Sequence, residues 1–593
     1  MRASDNVIEQ TWLAYALDAP RPLADTQRAL ARVERHYSPL IADESVRHES
    51  VGDVTGMVLW ERADERLRRS LWNQAGTRAF AATGIASGWR RIVDAQDGDA
   101  GELALLDALG AAPERAAELN PPFVAGLRES GSEALIVVND FIAAGRLYEL
   151  RFDGGWVWSN RLGALPLFAG IAPEPDRDGW AIFAAAGWFM GETTPIAGAR
   201  KVAAATVIRA RRAGDRGEVA QETGDAQERA VRPRKAKLDD SADAAAAQVR
   251  ELAEDLGAAW EAPIAISLTG GRDSRVSAAG ALAAGIDATY NTGDQVPGEV
   301  DVVRELVAAA PRPMEHEVHS PEPDEDADDD LWERIRGIHL VHDGMRNPQE
   351  VRRPTELPQR HFPPATLSGH GGELGHGFYY GRRDKLRRLK RGGDAAIAEQ
   401  LERNARRRHS AAAGDAYDLY MAECERTLER GREYGLEGPV LLDWFYMAQR
   451  LPYRSGLGAR SGRFSACVVP AFVRGAFDLS PKDRLSAKLH RAVVERLVPD
   501  WRKVDFFRSD SAAMPEIKRA RIWERPSEAA VVEEMIAAGG GWTEMLDGER
   551  IEAMWAEVKA GEGSADYEHV FYRLVWRAGY DRHLAALAEA ATS

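Results

Sequence analysis

Cysteine is nearly missing from this sequence: Cys424 and Cys467 are the only two in 593 residues. That excludes a disulfide framework and a cysteine-rich zinc site, and leaves both thiols to be read as small buried hydrophobes. Long apolar runs are missing too. No stretch reaches the roughly 18 residues of a membrane span, and the opening M-R-A-S-D-N-V-I-E-Q carries acids where a signal peptide needs an apolar core. A cytoplasmic protein is expected. Positive charge is in deficit, with a net charge of -16, so a nucleic-acid partner would need a local basic patch. Finally, no G-K-S or G-K-T follows a glycine loop, which disfavours a Walker-type NTPase.

What is present is ordinary globular composition in a chain too long for one core, so two domains or more are expected. Residues 1 to about 110 mix helical and strand-like patterns and hold no catalytic constellation. From Ala134, apolar alternation interrupted by Asp153-Gly154-Gly155 predicts successive antiparallel strands joined by a hairpin, hence a sheet-rich first domain over 1–212. Residues 213–247 turn polar and rich in alternating charge, then in alanine, which reads as a linker into a helix near Ala244–Ala258.

The second half, 248–593, alternates strands and helices. Strands are predicted at Ile264, at Ala288, from Met314 to His319 and from Ala365 to Ser368, with helices at Val276–Ala284 and Glu299–Ala310. This order implies a parallel, doubly wound α/β sheet whose ligands sit at the carboxyl ends of the strands. The acidic run Pro321–Asp330 reads as a solvated loop. The basic clusters Arg382–Arg391 and Arg406–Arg408 read first as solvated helix faces, and otherwise as attractors of phosphate or an acidic peptide. Beyond Ala411 the pattern is helical, and Trp444-Phe445-Tyr446 suits a core.

Two glycine-rich loops fall at the sheet edge. In Thr269-Gly270-Gly271-Arg272-Asp273-Ser274 the glycines let backbone close on an anion, the hydroxyls of Thr269 and Ser274 can donate to phosphate, and Asp273 can hold Mg²⁺. Ser267 and Asn291, near the ends of neighbouring strands, are candidates to face a nucleoside. The second loop is Ser368-Gly369-His370-Gly371-Gly372-Glu373. A histidine with a reference pKa near 6.5 is a competent base at neutral pH. Other readings stay open: His370 as a turn residue, Glu373 as a structural acid, and His370, Glu373 and His376 as zinc ligands, although this loop sets no shared helix face for them.

These motifs resemble those of the asparagine synthetase superfamily of ATP-pyrophosphatase amide ligases. Thr269–Ser274 is similar to its S-G-G-x-D-S pyrophosphate loop and Ser368–Glu373 to its S-G-E-G-x-D segment. Asn160–Phe168 resembles the D-R-x-G-x-x-P-L-Y segment of its glutaminase domain, Val468–Val473 its R-V-P-F-L-D turn, and Ser486–Arg491 its K-x-x-L-R segment. The resemblance implies a glutaminase-like (Ntn-hydrolase-like) αββα first domain and an ATP-binding synthetase second domain with added helices. It implies ATP and Mg²⁺ as cofactors, Asp273 and Glu373 as metal ligands, and Thr269 to Ser274 with Ser267, Asn291 and Gly369 around the nucleotide. His370 stands at the family's base. Lys488 is offered for its catalytic lysine, although counting back from Arg491 places Ala487 there. The family's nucleophilic cysteine is absent: Arg2, Ala3 and Ser4 stand near the start, and Ser4 has no visible base. Glutaminase chemistry is therefore expected to be lost, which draws the comparison toward lasso peptide cyclases. Those join the N-terminal amine of a precursor core peptide to an Asp or Glu side chain, with a leader peptidase and a leader-binding protein as partners. The rivals are a β-lactam-synthetase-like ligase on a small metabolite or sugar, and an inactive ATP-binding scaffold.

Overall fold

Strand β1 (Gln10–Leu17) is buried along its whole length, and its two faces meet different surroundings. Trp12, Ala14 and Ala16 share an apolar layer with Val124, Val137 and Ile208, whereas Leu13, Tyr15 and Leu17 belong to the core that holds Leu30, Val33 and Tyr37. Successive strand residues face opposite ways, so β1 lies in a sheet covered by another sheet on one side and by helices on the other. The computed structural model describes residues 10–41, 45–62, 71–85, 87–93, 98–320, 330–352, 365–406, 411–454, 462–507 and 520–593.

The remaining strands of the first half are β2 (Ser45–Val51), β3 (Thr55–Arg62), β4 (Trp72–Ala75), β5 (Arg78–Ala82), β6 (Val124–Glu129), β7 (Ala134–Asn139), β8 (Tyr148–Phe152), β9 (Gly155–Ser159), β10 (Ala199–Lys201), β11 (Thr206–Ala213) and β12 (Arg216–Thr223). They form two six-stranded sheets, ordered β10-β8-β9-β1-β3-β2 and β12-β11-β7-β6-β5-β4. Helix Leu23–Ile41 covers the first, and helix Gly98–Ala111 covers the second through Leu105, Leu106 and Leu109 packed with Phe80, Val138 and Val207. The layers are thus helix, sheet, sheet, helix.

The hairpin expected at Asp153-Gly154-Gly155 is present as β8–β9, where Phe152 pairs with Gly155, while the preceding strand β7 lies in the second sheet and β8 in the first. One expectation is corrected: residues 213–247 are not a plain linker. β12 pairs with β11 along its length, helix Ala226–Val231 follows it, and the next helix begins at Leu238. β12 is a largely exposed edge whose Glu218 meets Arg211 at 2.8 Å; charge on a solvated strand edge has the composition of a loop.

The second half carries β13 (Ile264–Ser267), β14 (Ala288–Gly293), β15 (Glu315–His319), β16 (Thr366–Ser368) and β17 (Arg463–Ser465) in the order β15-β14-β13-β16-β17, every pairing parallel. Helices connect them, and from Ala411 onward the chain is mainly helical. Cys424, Cys467, Trp444, Phe445 and Tyr446 are buried. The acidic run Pro321–Asp330 lies outside the described residues except Asp330, which caps helix Leu331–His342 by accepting from Trp332 N–H. Arg407 and Arg408 also lie outside them. Among the described residues no helix is long and apolar enough to cross a membrane.

The halves are joined by the segment whose resemblance pointed to a glutaminase domain. Arg161 is fully buried and donates to the carbonyls of Leu340 (2.6 Å) and Val341 (2.7 Å), at the negative end of helix Leu331–His342 where a cation is favoured. Tyr37 Oη donates to Asp343 Oδ1 at 2.6 Å.

Candidate active site

β13 and β16 are adjacent and parallel, so the loops that follow them leave the sheet at the same edge. They touch. A Cβ on Gly372 would overlap the Asp273 carboxyl group, and one on Gly369 would lie 2.5 Å from the Asp273 carbonyl carbon. Glycine is needed at both places because the second loop approaches the first this closely.

The first loop is held from within. Thr269 N–H donates to Ser274 Oγ (3.0 Å), the two hydroxyls are 3.0 Å apart, and Gly271 N–H donates to Thr269 Oγ1 (3.0 Å). Gly270 N–H donates to Glu299 Oε1 at 3.1 Å. From below, Arg275 donates to the carbonyls of Gly270 (3.0 Å) and Val504 (2.7 Å). Arg272 occupies the N-cap of helix Asp273–Ala284 without a side-chain capping bond. Ser267 and Asn291 are directly opposite in register, and Ser267 Oγ donates to Asn291 Oδ1 at 3.3 Å.

Asp273 is gripped by two histidines. His490 Nε2 lies 2.8 Å from Oδ1, and His376 Nε2 lies 3.3 Å from Oδ2. Burial works to raise the Asp273 pKa, but the two imidazoles outweigh it and hold the carboxyl well below the usual range. Asp273 is therefore an anion at any neutral pH. His490 is fully buried, and Gly375 lacks the Cβ that would strike its ring.

In the second loop Gly371, at φ 85°, donates its N–H to Glu373 Oε2 at 3.1 Å. Tyr446 also hydrogen-bonds Glu373; burial first, and then the Glu373 charge, push its pKa up. Both Asp273 and Glu373 act electrostatically on Tyr446 and on Cys467, so the two carboxylates lie near the same two side chains. His370 is exposed. Desolvation and then Arg463 lower its pKa against the opposing pull of Glu373 and Asp273, so the imidazole is neutral and able to accept a proton at pH 7.

Among the described residues no group of three or more His, Cys, Asp or Glu is arranged to hold a metal ion. Two ionisable carboxylates on touching loops nevertheless fit Mg²⁺, which uses one or two protein carboxylates and completes its shell with phosphate oxygens and water. Each ionised carboxylate offers about four acceptor sites, so the two histidines do not exhaust those of Asp273.

The structure thus brings together Thr269 to Ser274, Gly369, His370 and Glu373, with Ser267 and Asn291 at the neighbouring strand ends. It does not gather in Lys488. That side chain is half-exposed and its Nζ lies 2.6 Å from Asp483 Oδ1, because helix Lys488–Leu497 turns Leu489, His490 and Val493 inward instead. Sequence reasoning missed His490, His376 as a partner of Asp273, Glu299 and Tyr446. His490 lies inside the very segment that was searched for a lysine. No protein-family model matches this chain, and neither does any curated protein.

Proposed function

We propose that this protein is an ATP-dependent amide-forming ligase that works through an acyl-adenylate. The observation that supports this best is Asp273, a carboxylate fixed in its charged form at the first turn of a helix and touched by a second loop that carries Glu373 and His370. In this reading a substrate carboxylate oxygen attacks the α-phosphorus of ATP, and the bond to the bridging oxygen of pyrophosphate breaks. Thr269, Gly270, Gly271, Arg272 and Ser274 hold the departing pyrophosphate; Ser267, Asn291 and Gly369 lie on the adenosine side. Asp273 and Glu373 would hold Mg²⁺, which when bound neutralises phosphate charge. An amine then attacks the acyl carbon, the carbon–oxygen bond to AMP breaks, and His370 takes the amine proton. Lys488 has no part in this scheme.

For the substrate we place first the closure of a macrolactam ring on a ribosomal lasso precursor peptide, between its N-terminal amine and an Asp or Glu side chain. The resemblance of both loops supports it. The test incubates the full chain with Mg²⁺, ATP and a candidate precursor peptide and follows AMP, pyrophosphate and peptide mass. Ring closure is a loss of one water from the peptide. Asp273→Ala is expected to abolish pyrophosphate release. His370→Ala should keep adenylation and slow amide formation by about 10²–10⁴-fold. AMP formed only with a small metabolite or sugar would move the substrate assignment, and nucleotide binding without any turnover would leave a scaffold.

A further inference from the structure

The polar hydrogens of the Thr269–Ser274 loop described above have acceptors inside the protein, and one acceptor is charged. Gly270 N–H donates to the Glu299 carboxylate at 3.1 Å, and the Thr269 side chain hydrogen-bonds the same carboxylate. A backbone N–H and a hydroxyl converging on an anionic oxygen is also how such a loop would hold a phosphate oxygen. We propose that Glu299 is a built-in occupant of this anion cradle, which a diphosphate group must displace, so that it gates nucleotide entry. The proposal rests on reading Thr269–Ser274 as the pyrophosphate loop.

The surroundings suit a group that both holds and leaves. Glu299 is the first residue of helix Glu299–Ala308 and follows Gly298, whose φ of 80° is in the left-handed region. Its side chain can swing away without breaking the helix, since the first turn makes no intrahelical N–H bond. Phe507 braces the closed arrangement. Its N–H donates to the Gly270 carbonyl at 2.8 Å, and its side chain lies against both Gly270 and Gly298, where added Cβ atoms would meet it at 2.5 and 3.5 Å. A diphosphate cannot share Gly270 N–H with Glu299, because two anions a few ångströms apart repel strongly where solvent is thin. Half-buried, Glu299 also has its own pKa raised by desolvation, so leaving the cradle for water costs it little.

The test measures binding of inorganic pyrophosphate and of ATP, each with Mg²⁺, by titration calorimetry on the full chain and on Glu299→Gln and Glu299→Ala. Glutamine keeps an acceptor for Gly270 but drops the charge; alanine empties the cradle. A gate predicts tighter pyrophosphate binding by about tenfold or more in the alanine variant, with the glutamine variant between it and the wild type. Unchanged affinity in the glutamine variant, with equal or weaker binding in the alanine variant, overturns the gate and makes Glu299 a structural brace. Circular dichroism and melting temperature check that each variant folds; if the alanine variant does not, tightening in the glutamine variant alone supports the gate and its absence rejects it. If none of the three proteins binds pyrophosphate or ATP, the cradle reading itself falls, and the gate falls with it.

Discussion

Asp273 owes its charge to residues far away in sequence. His376 lies 103 positions on, and His490 comes from a helix beyond β17; no local pattern ties either of them to Asp273. Removing the buried donor tests how much they matter. His490→Leu keeps an apolar side chain of similar bulk and deletes the contact, so a partly buried carboxylate loses one of its two imidazole partners. We expect unfolding stability in urea to fall by about 2 kcal/mol, the size of the effect when a buried acceptor loses a hydrogen-bond partner, and the Asp273 carboxyl to become easier to protonate. A loss below about 0.5 kcal/mol would show that His376 alone suffices. The contrast with Thr269–Ser274 is physical. That loop is contiguous and glycine-marked, so its bond-forming atoms sit within one local turn and can be read from neighbouring letters. The partners of Asp273 are assembled by packing, as is Glu299, whose acid could not be assigned to Gly270 before the helix was placed.

At the scale of elements, strand and helix alternation was legible in the second half because β13 and β14 are rich in apolar or β-branched residues and are each followed by a helical period. β17 was not, since Arg463–Ser465 spans only three residues and gains its identity by pairing with β16. The edge strand β12 was missed for the opposite reason, as its long pairing is hidden by solvated charge. What the alternation does imply is that loops after adjacent parallel strands meet, and the glycines measure how closely. Gly372→Ala would drive a methyl group into the Asp273 carboxyl, and the loops must part to accept it. A displacement of about 1 Å at a reacting centre can cost on the order of 10²-fold in rate, so pyrophosphate release should drop by about that much while the melting temperature changes little. Gly548→Ala is the control, because a methyl group there meets nothing within 4 Å and should leave the rate unchanged. Equal rates for both variants would mean that the close approach of the two loops is not needed for turnover.

A cluster of histidines lies between the two halves, with His339, His342 and His583 buried and His36 half-buried. His36 comes from the helix over the first sheet, His339 and His342 from the helix that Arg161 caps, and His583 from the C-terminal helix Tyr567–Thr592. Ring centroids of His583 lie 5.7 Å from His36 and 6.1 Å from His339. Burial is the main cause that lowers all four. His36 is pushed down to about 4 and His583 to about 3, with Asp343 opposing and Arg161 adding to the fall, while His339 and His342 lie well below the ordinary value. The folded protein therefore binds fewer protons here than the unfolded chain, whose histidines titrate near pH 6.5. Stability from these groups is complete above about pH 6.5 and is lost progressively as pH falls toward 4 and 3. Asp443 works the other way: burial raises it to about 6 against Arg484, so the folded state takes up a proton there earlier than the unfolded one. Asp140 shares that direction, as burial raises it despite its backbone hydrogen bonds. The four histidines predict a melting temperature that declines between about pH 6.5 and 4, a decline that carboxylates raised by burial, Asp443 and Asp140 among them, make shallower. His583→Gln and His36→Gln should flatten that decline, because a glutamine between the halves has no proton to gain. A decline equally steep in both variants would assign it to groups outside the interface.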